Sequence, residues 1–155
     1  MGIIRGQGAT EYLVLLAVVL IVALVSVALL GFFPGMASDA RITQSEAYWR
    51  GQARPFSIMD IAINATGGAT LTIQNKEASG QYTITNILVG AINSTNLTAT
   101  TFAPGETKNI LMTTPGFGTN TAGGIFDYNV TITYNTPSIT GAKQYGTKNI
   151  VGKYA

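Results

Sequence analysis

The chain of 155 residues contains no cysteine and no histidine, and only 10% of it is Asp, Glu, Lys or Arg, against a usual share of about 25%. Without cysteine there are no disulfides and no thiol nucleophile; without histidine there is no imidazole base, and the commonest zinc ligands are gone. The missing disulfides remove one argument for an extracellular setting but do not decide the compartment. Nine Lys and Arg against seven Asp and Glu leave a net charge of +2, too sparse for the basic patch that nucleic acid requires. The Gly67-Gly68 and Gly123-Gly124 pairs lack the lysine or following helix of a phosphate-binding loop. No cofactor and no metal site is expected, and an enzyme is the remotest reading, because catalysis would rest on scattered carboxylates alone.

What the chain does have is an apolar run from Tyr12 to Phe33 without a single charge, with one carboxylate, Glu11, at its lip. As a helix the run spans about 33 Å, enough to cross a hydrocarbon core of about 30 Å. A carboxylate at membrane level costs several kcal/mol unless something pairs with it or neutralises it. Three readings compete: a signal anchor, a secretory signal peptide removed after the run, and a leader removed before it. The run exceeds the roughly 7 to 15 apolar residues of a cleaved secretory signal, although Gly35-Met36-Ala37-Ser38 would offer such a signal small residues.

The third reading rests on Arg5-Gly6 followed by Gln7-Gly8-Ala9-Thr10-Glu11-Tyr12-Leu13 and the apolar run. This stretch resembles the class III signal peptide of archaeal type IV pilins. The resemblance implies that a membrane-embedded prepilin peptidase cuts between Gly6 and Gln7, removes residues 1–6, and leaves the apolar segment on the mature chain with Glu11 at its fifth position. It also implies assembly through Glu11, Tyr12, Leu13, Leu16 and Leu20. Part of this chemistry is intelligible from spacing alone. Cutting before Gln7 creates an α-ammonium, and Glu11 lies four residues on, one helical turn away on the same face, near the positive end of the helix dipole. In the family the carboxylate pairs with the N-terminal amine of a neighbouring subunit; one sequence does not separate this from pairing within the chain, and the lesser alternative is a first-turn helix acid at headgroup level.

Beyond the run, Gly31-Phe32-Phe33-Pro34-Gly35 predicts a kink or a short melted stretch. A second helical piece follows from Ala37 to about Gln52, with Glu46 and Arg50 spaced i,i+4, and Arg54-Pro55 ends it. The helix is therefore expected over 7–54 and a β-rich head over 55–155. Strands are predicted at Phe56 to Asn64, around Leu71 and Ile73, at Gln81 to Ile92, Asn96 to Phe102, Thr107 to Thr113 and Lys143 to Val151. The clearest is Tyr128, Val130, Ile132 and Tyr134 alternating with Asp127, Asn129, Thr131 and Thr133. Turns are expected at Thr66-Gly67-Gly68, Ala78-Ser79-Gly80 and Pro104-Gly105. The fold class is thus α+β: a long hydrophobic N-terminal helix, then an antiparallel β-sandwich-like head, of either immunoglobulin-like or other strand order. The resemblance implies the same architecture.

Four sequons make Asn64, Asn93, Asn96 and Asn129 candidate N-glycan acceptors, with chance a competitor in a chain rich in Asn and Thr. Asn129 and Thr131 fall on the wet face of their strand, and Asn93 and Asn96 flank a turn. Asp60, Glu77, Glu106 and Asp127 have no ligand spacing and read as surface acids. Tyr48, Trp49 and Phe56 read as packing between helix end and head. The Gly-rich stretch Pro115 to Gly124 reads as either a flexible connection or a contact loop.

Together these features predict the major subunit of an archaeal type IV pilus-like filament, serving surface adhesion. It would begin as a precursor in the cytoplasmic membrane and end as an extracellular homo-oligomer, with the prepilin peptidase as partner, N-glycans attached and no nucleic acid. An archaellin or a minor pilin-like subunit ranks second, and an uncut, membrane-anchored β-sandwich binding module is the rival of another class.

Overall fold

A computed structural model of the chain describes residues 7–94, 97–112 and 116–155. The chain divides into two compact units, Met1–Ala40 and Arg41–Ala155. One helix, α1, covers Gln7–Ala47. It runs without a break across Gly31–Gly35, so the expected melted stretch does not form. The reason is arithmetic: a proline at 34 withdraws one N–H from the hydrogen-bond ladder, whereas opening the helix there would withdraw several.

The second unit begins in the last turns of α1, which widen into a π-helical turn over Tyr48–Gln52, closed by Ala53 N–H donating to the Tyr48 carbonyl at 2.9 Å. Ten strands follow among the described residues. They are β1 (Phe56–Ile63), β2 (Ala69–Asn75), β3 (Tyr82–Val89), β4 (Ile92–Asn93), β5 (Thr100–Phe102), β6 (Thr107–Met112), β7 (Ile125–Tyr128), β8 (Val130–Asn135), β9 (Ala142–Tyr145) and β10 (Ile150–Lys153). They form three antiparallel sheets: β1-β2-β6, then β4-β3-β8-β9 with β5 also on β3, then β10-β7. Within the sheets, β1-β2-β6 and β4-β3-β8-β9 follow the orders A-B-E and C′-C-F-G that immunoglobulin-type domains use. β5 departs from these orders, pairing with β3 instead of extending the first sheet.

Side chains from all three sheets enter one core, with Phe56, Leu71 and Ile73 from the first, Ile84, Phe102 and Ile132 from the second, and Phe126 and Ile150 from the third. Two β-bulges explain why the apolar pattern of β1 and β3 is not a plain alternation. In β1 the register shifts between Ile58 and Asp60, so Phe56 and Ile58 face the core before it and Ile63, in the opposite phase, after it. In β3 the shift between Ile84 and Asn86 likewise buries Ile84, Ile87 and Val89 together. One extra residue resets which face points inward.

Three strand expectations require correction. The stretch from Gln81 to Ile92 is not one strand but a hairpin, with β3 turning at Gly90, φ +63°, into β4. The alternating run through Tyr128 and Tyr134 is not one strand: it breaks at Asn129, with β7 pairing with β10 and β8 with β3 and β9. The stretch from Lys143 to Val151 divides the same way, at residues 146–149, into β9 and β10. The chain leaves one ladder for another at both places. Alternation reports which face is buried and is blind to which neighbour supplies the hydrogen bonds.

Candidate functional site

Between Gln7 and Ser38 the sole charged residue is Glu11, and it is solvent-exposed in the opening turns of α1. Large apolar side chains follow it on every side of the helix. Leu16, the least exposed among them, is still 42% accessible, and Leu30 reaches 70%. A helix that is apolar all round is found in a membrane or inside a larger assembly, because no single face can be dried by one neighbour. Leu13, Leu16 and Leu20, at i, i+3 and i+7, share one face, with Tyr12 beside them, and all four are exposed. Thr10, Glu11, Val14 and Leu15 edge a shallow, open hollow. The one hydroxyl deep in the run, that of Ser26, donates to the Val22 carbonyl at 2.7 Å and so adds no unsatisfied polar group. The helix contains a segment long and apolar enough to span a membrane. Gln7 is the first described residue of α1; Gly6, the other side of the expected cut, lies outside the described residues.

In the second unit, the end of the helix is tied to the β10-β7 sheet by polar contacts that the sequence did not advertise. Arg41 pairs with Asp127 on β7, and Asn149 donates to the other oxygen of Asp127 at 2.8 Å. Ser45, buried, donates to the Asn149 carbonyl and accepts from Val151 N–H, both at 2.9 Å. That hydroxyl does for the edge of β10 what a further strand would do. These residues rim a polar cleft of about 320 Å³, whose carboxylate is engaged by Arg41 and Asn149. Trp49 is buried at 1% exposure and Phe56 completely, so both serve as core, and Tyr48 packs edge-on against Trp49.

Gln144 on β9 is a second feature missed from sequence. Its buried side-chain amide donates to the Phe56 carbonyl at 2.7 Å and accepts from Phe56 N–H at 3.0 Å. It thereby occupies the open edge of β1 and joins two sheets. A lone glutamine in a strand carries no local signal of such a role.

The four carboxylates of the head each have a structural partner. Asp60 accepts from Ile61 N–H, Glu77 faces Arg54 at 3.5 Å, Asp127 holds Arg41, and Glu106 meets Lys108 at 3.1 Å. Glu106 also accepts from Ala103 N–H at 2.8 Å, which, with Lys108 second, holds its carboxyl below the ordinary value. Burial, then a hydroxyl contact with Tyr128 at 2.7 Å, pushes the Tyr154 phenol up to about 12. Among the described residues no group of three or more Asp or Glu gathers in metal-binding geometry.

Asn64, Asn93 and Asn129 are exposed; Asn96 lies outside the described residues. The Gly-rich loop is anchored, with Phe117 buried against Tyr128 and Asn120 N–H donating to the Ala65 carbonyl. No protein-family model matches the chain, and no curated protein matches its sequence.

Proposed function

We propose that this chain is the structural subunit of an extracellular filament of the archaeal type IV pilus kind, made as a membrane precursor, cut after Gly6 and polymerised through α1. The observation that supports this best is Glu11, the single carboxylate at the start of a helix whose apolar side chains are exposed on every side. Membrane lipid already shields that surface in the precursor, so hydrophobic burial contributes little to the transfer into a filament. The net drive comes from side-chain packing and from pairing of Glu11 with the ammonium that the cut creates. Before the cut no such ammonium exists, which keeps the precursor from polymerising. The β-rich unit serves surface adhesion as the outward part of the filament.

Purified surface filaments examined by electron microscopy, with N-terminal sequencing of their main band, test the reading. Filaments whose subunit begins at Gln7 are expected. An uncut chain that stays monomeric in detergent would instead make this a membrane-anchored β-sandwich binding module. Glu11→Ala is expected to abolish or strongly reduce filament yield while the head stays folded by circular dichroism; normal filaments from this variant would refute the pairing role.

A further inference from the structure

The four sequons are not equivalent in the fold. Asn64 has structural work: its side-chain oxygen accepts from Gly68 N–H at 2.7 Å and from the hydroxyl of Thr66 at 3.0 Å, while its backbone N–H bonds the Gly68 carbonyl at 2.9 Å. Asn and Thr of this sequon therefore close the turn between β1 and β2, where Gly67 takes a φ of +96°. That geometry accounts for both residues without a modification. Asn93 sits in β4, paired opposite Leu88, and its neighbour Ser94 is buried with the hydroxyl bonded to Ile87 N–H and to Asn86.

Asn129 differs from Asn64, whose side chain closes a turn. It lies at the one-residue break between β7 and β8, and its carbonyl, accepting from Gly90 N–H at 2.8 Å, fixes the backbone. Its side chain is exposed and makes no hydrogen bond to any described residue. Val130 is buried at 1% exposure, so its two neighbours on an extended run, Asn129 and Thr131, both turn outward. The carboxamide and the hydroxyl of one sequon thus lie on the same open face, over a backbone that is already ordered, with no structural task assigned to the amide.

We propose that Asn129 is an N-glycan acceptor and that Asn64 is a turn residue. The step is a substitution at an anomeric carbon. The side-chain nitrogen of Asn129 forms a bond to C1 of an oligosaccharide carried on a lipid phosphate and loses one proton. The C1–O bond breaks, and its electron pair leaves with the phosphate. No oxidant or reductant takes part. Attachment here displaces no protein contact, so the glycan enlarges the hydrophilic cover of a head with few charges.

This rests on the head lying outside the cell, and the test separates the two claims. The full chain is purified from its native host, and its peptides are mapped by mass spectrometry. External protease treatment of intact cells reports independently whether the head is outside. A saccharide increment on the peptide holding Asn129, with the Asn64 peptide at its bare mass, is expected. A bare Asn129 peptide overturns the proposal, and if the head is digested from outside it does so without touching the filament reading. Asn129→Gln should remove the increment and leave the melting temperature of the detergent-solubilised chain unchanged, whereas Asn64→Gln should lower it; the reverse pattern also overturns the assignment.

Discussion

Gln144 provides the sharpest test of how the sheets are joined. Replacing it with leucine keeps the volume nearly constant but strips Phe56 N–H and the Phe56 carbonyl of their partners at 3.0 and 2.7 Å. Phe56 is wholly buried and Gln144 is 6% exposed, so water does not replace either bond. Each orphaned group costs about 1–3 kcal/mol, so the two cost about 4 kcal/mol at mid-range, and the apolar replacement returns about 1–2 kcal/mol, for a net loss of roughly 2–3 kcal/mol. Gln144→Glu separates hydrogen bonding from packing. An ionised carboxylate accepts from Phe56 N–H but opposes the carbonyl, whereas the protonated acid supplies one donor and one acceptor, the two functions the amide uses here. Burial raises the pKa of the introduced acid above its unfolded value, so its destabilisation is largest at neutral pH and shrinks as pH falls through the folded pKa. Urea titration of the detergent-solubilised chain at pH 7 and pH 4, followed by β-sheet circular dichroism, reads both effects. A leucine variant within about 0.5 kcal/mol of the parent, or a glutamate variant equally destabilised at both pH values, would refute the reasoning.

Three further outcomes follow from the same contacts. A Cβ on Gly146 would lie 2.3 Å from Cζ2 of Trp49 and 2.7 Å from its Cη2; because that ring is fully packed, Gly146→Ala should lose about 1–3 kcal/mol in the same titration. Ser45→Ala leaves the Asn149 carbonyl and Val151 N–H without the hydroxyl at 2.9 Å, and should lose roughly 2–4 kcal/mol, with faster hydrogen exchange at Val151. The Tyr154 phenol is raised from 10.0 to about 12 in the folded chain, so the stability it contributes is complete below pH 10 and is lost as pH rises toward 12. Tyr154→Phe should flatten that alkaline loss in melting curves taken from pH 9 to 12, and an unchanged slope would count against the assignment.

Local patterns carried the helix, the β-rich head and most strands. The apolar run announces α1 because a chargeless stretch of that length has few other stable forms, and the turns at 66–68, 78–80 and 104–105 follow from Gly and Pro chemistry. The sequence alone also isolates Glu11, since a lone acid at the edge of such a run is conspicuous without coordinates. The order of strands within the sheets, the switch of ladders at Asn129 and at 146–149, and the bulges in β1 and β3 are decided by tertiary structure. They depend on which distant backbone supplies each hydrogen bond, and residue type does not encode that choice. The same holds for Gln144, whose partner is 88 residues away, and for Ser45, whose partners lie beyond 100. A polar side chain takes its role from the backbone that folding brings to it, whereas an apolar run carries its meaning in its own length.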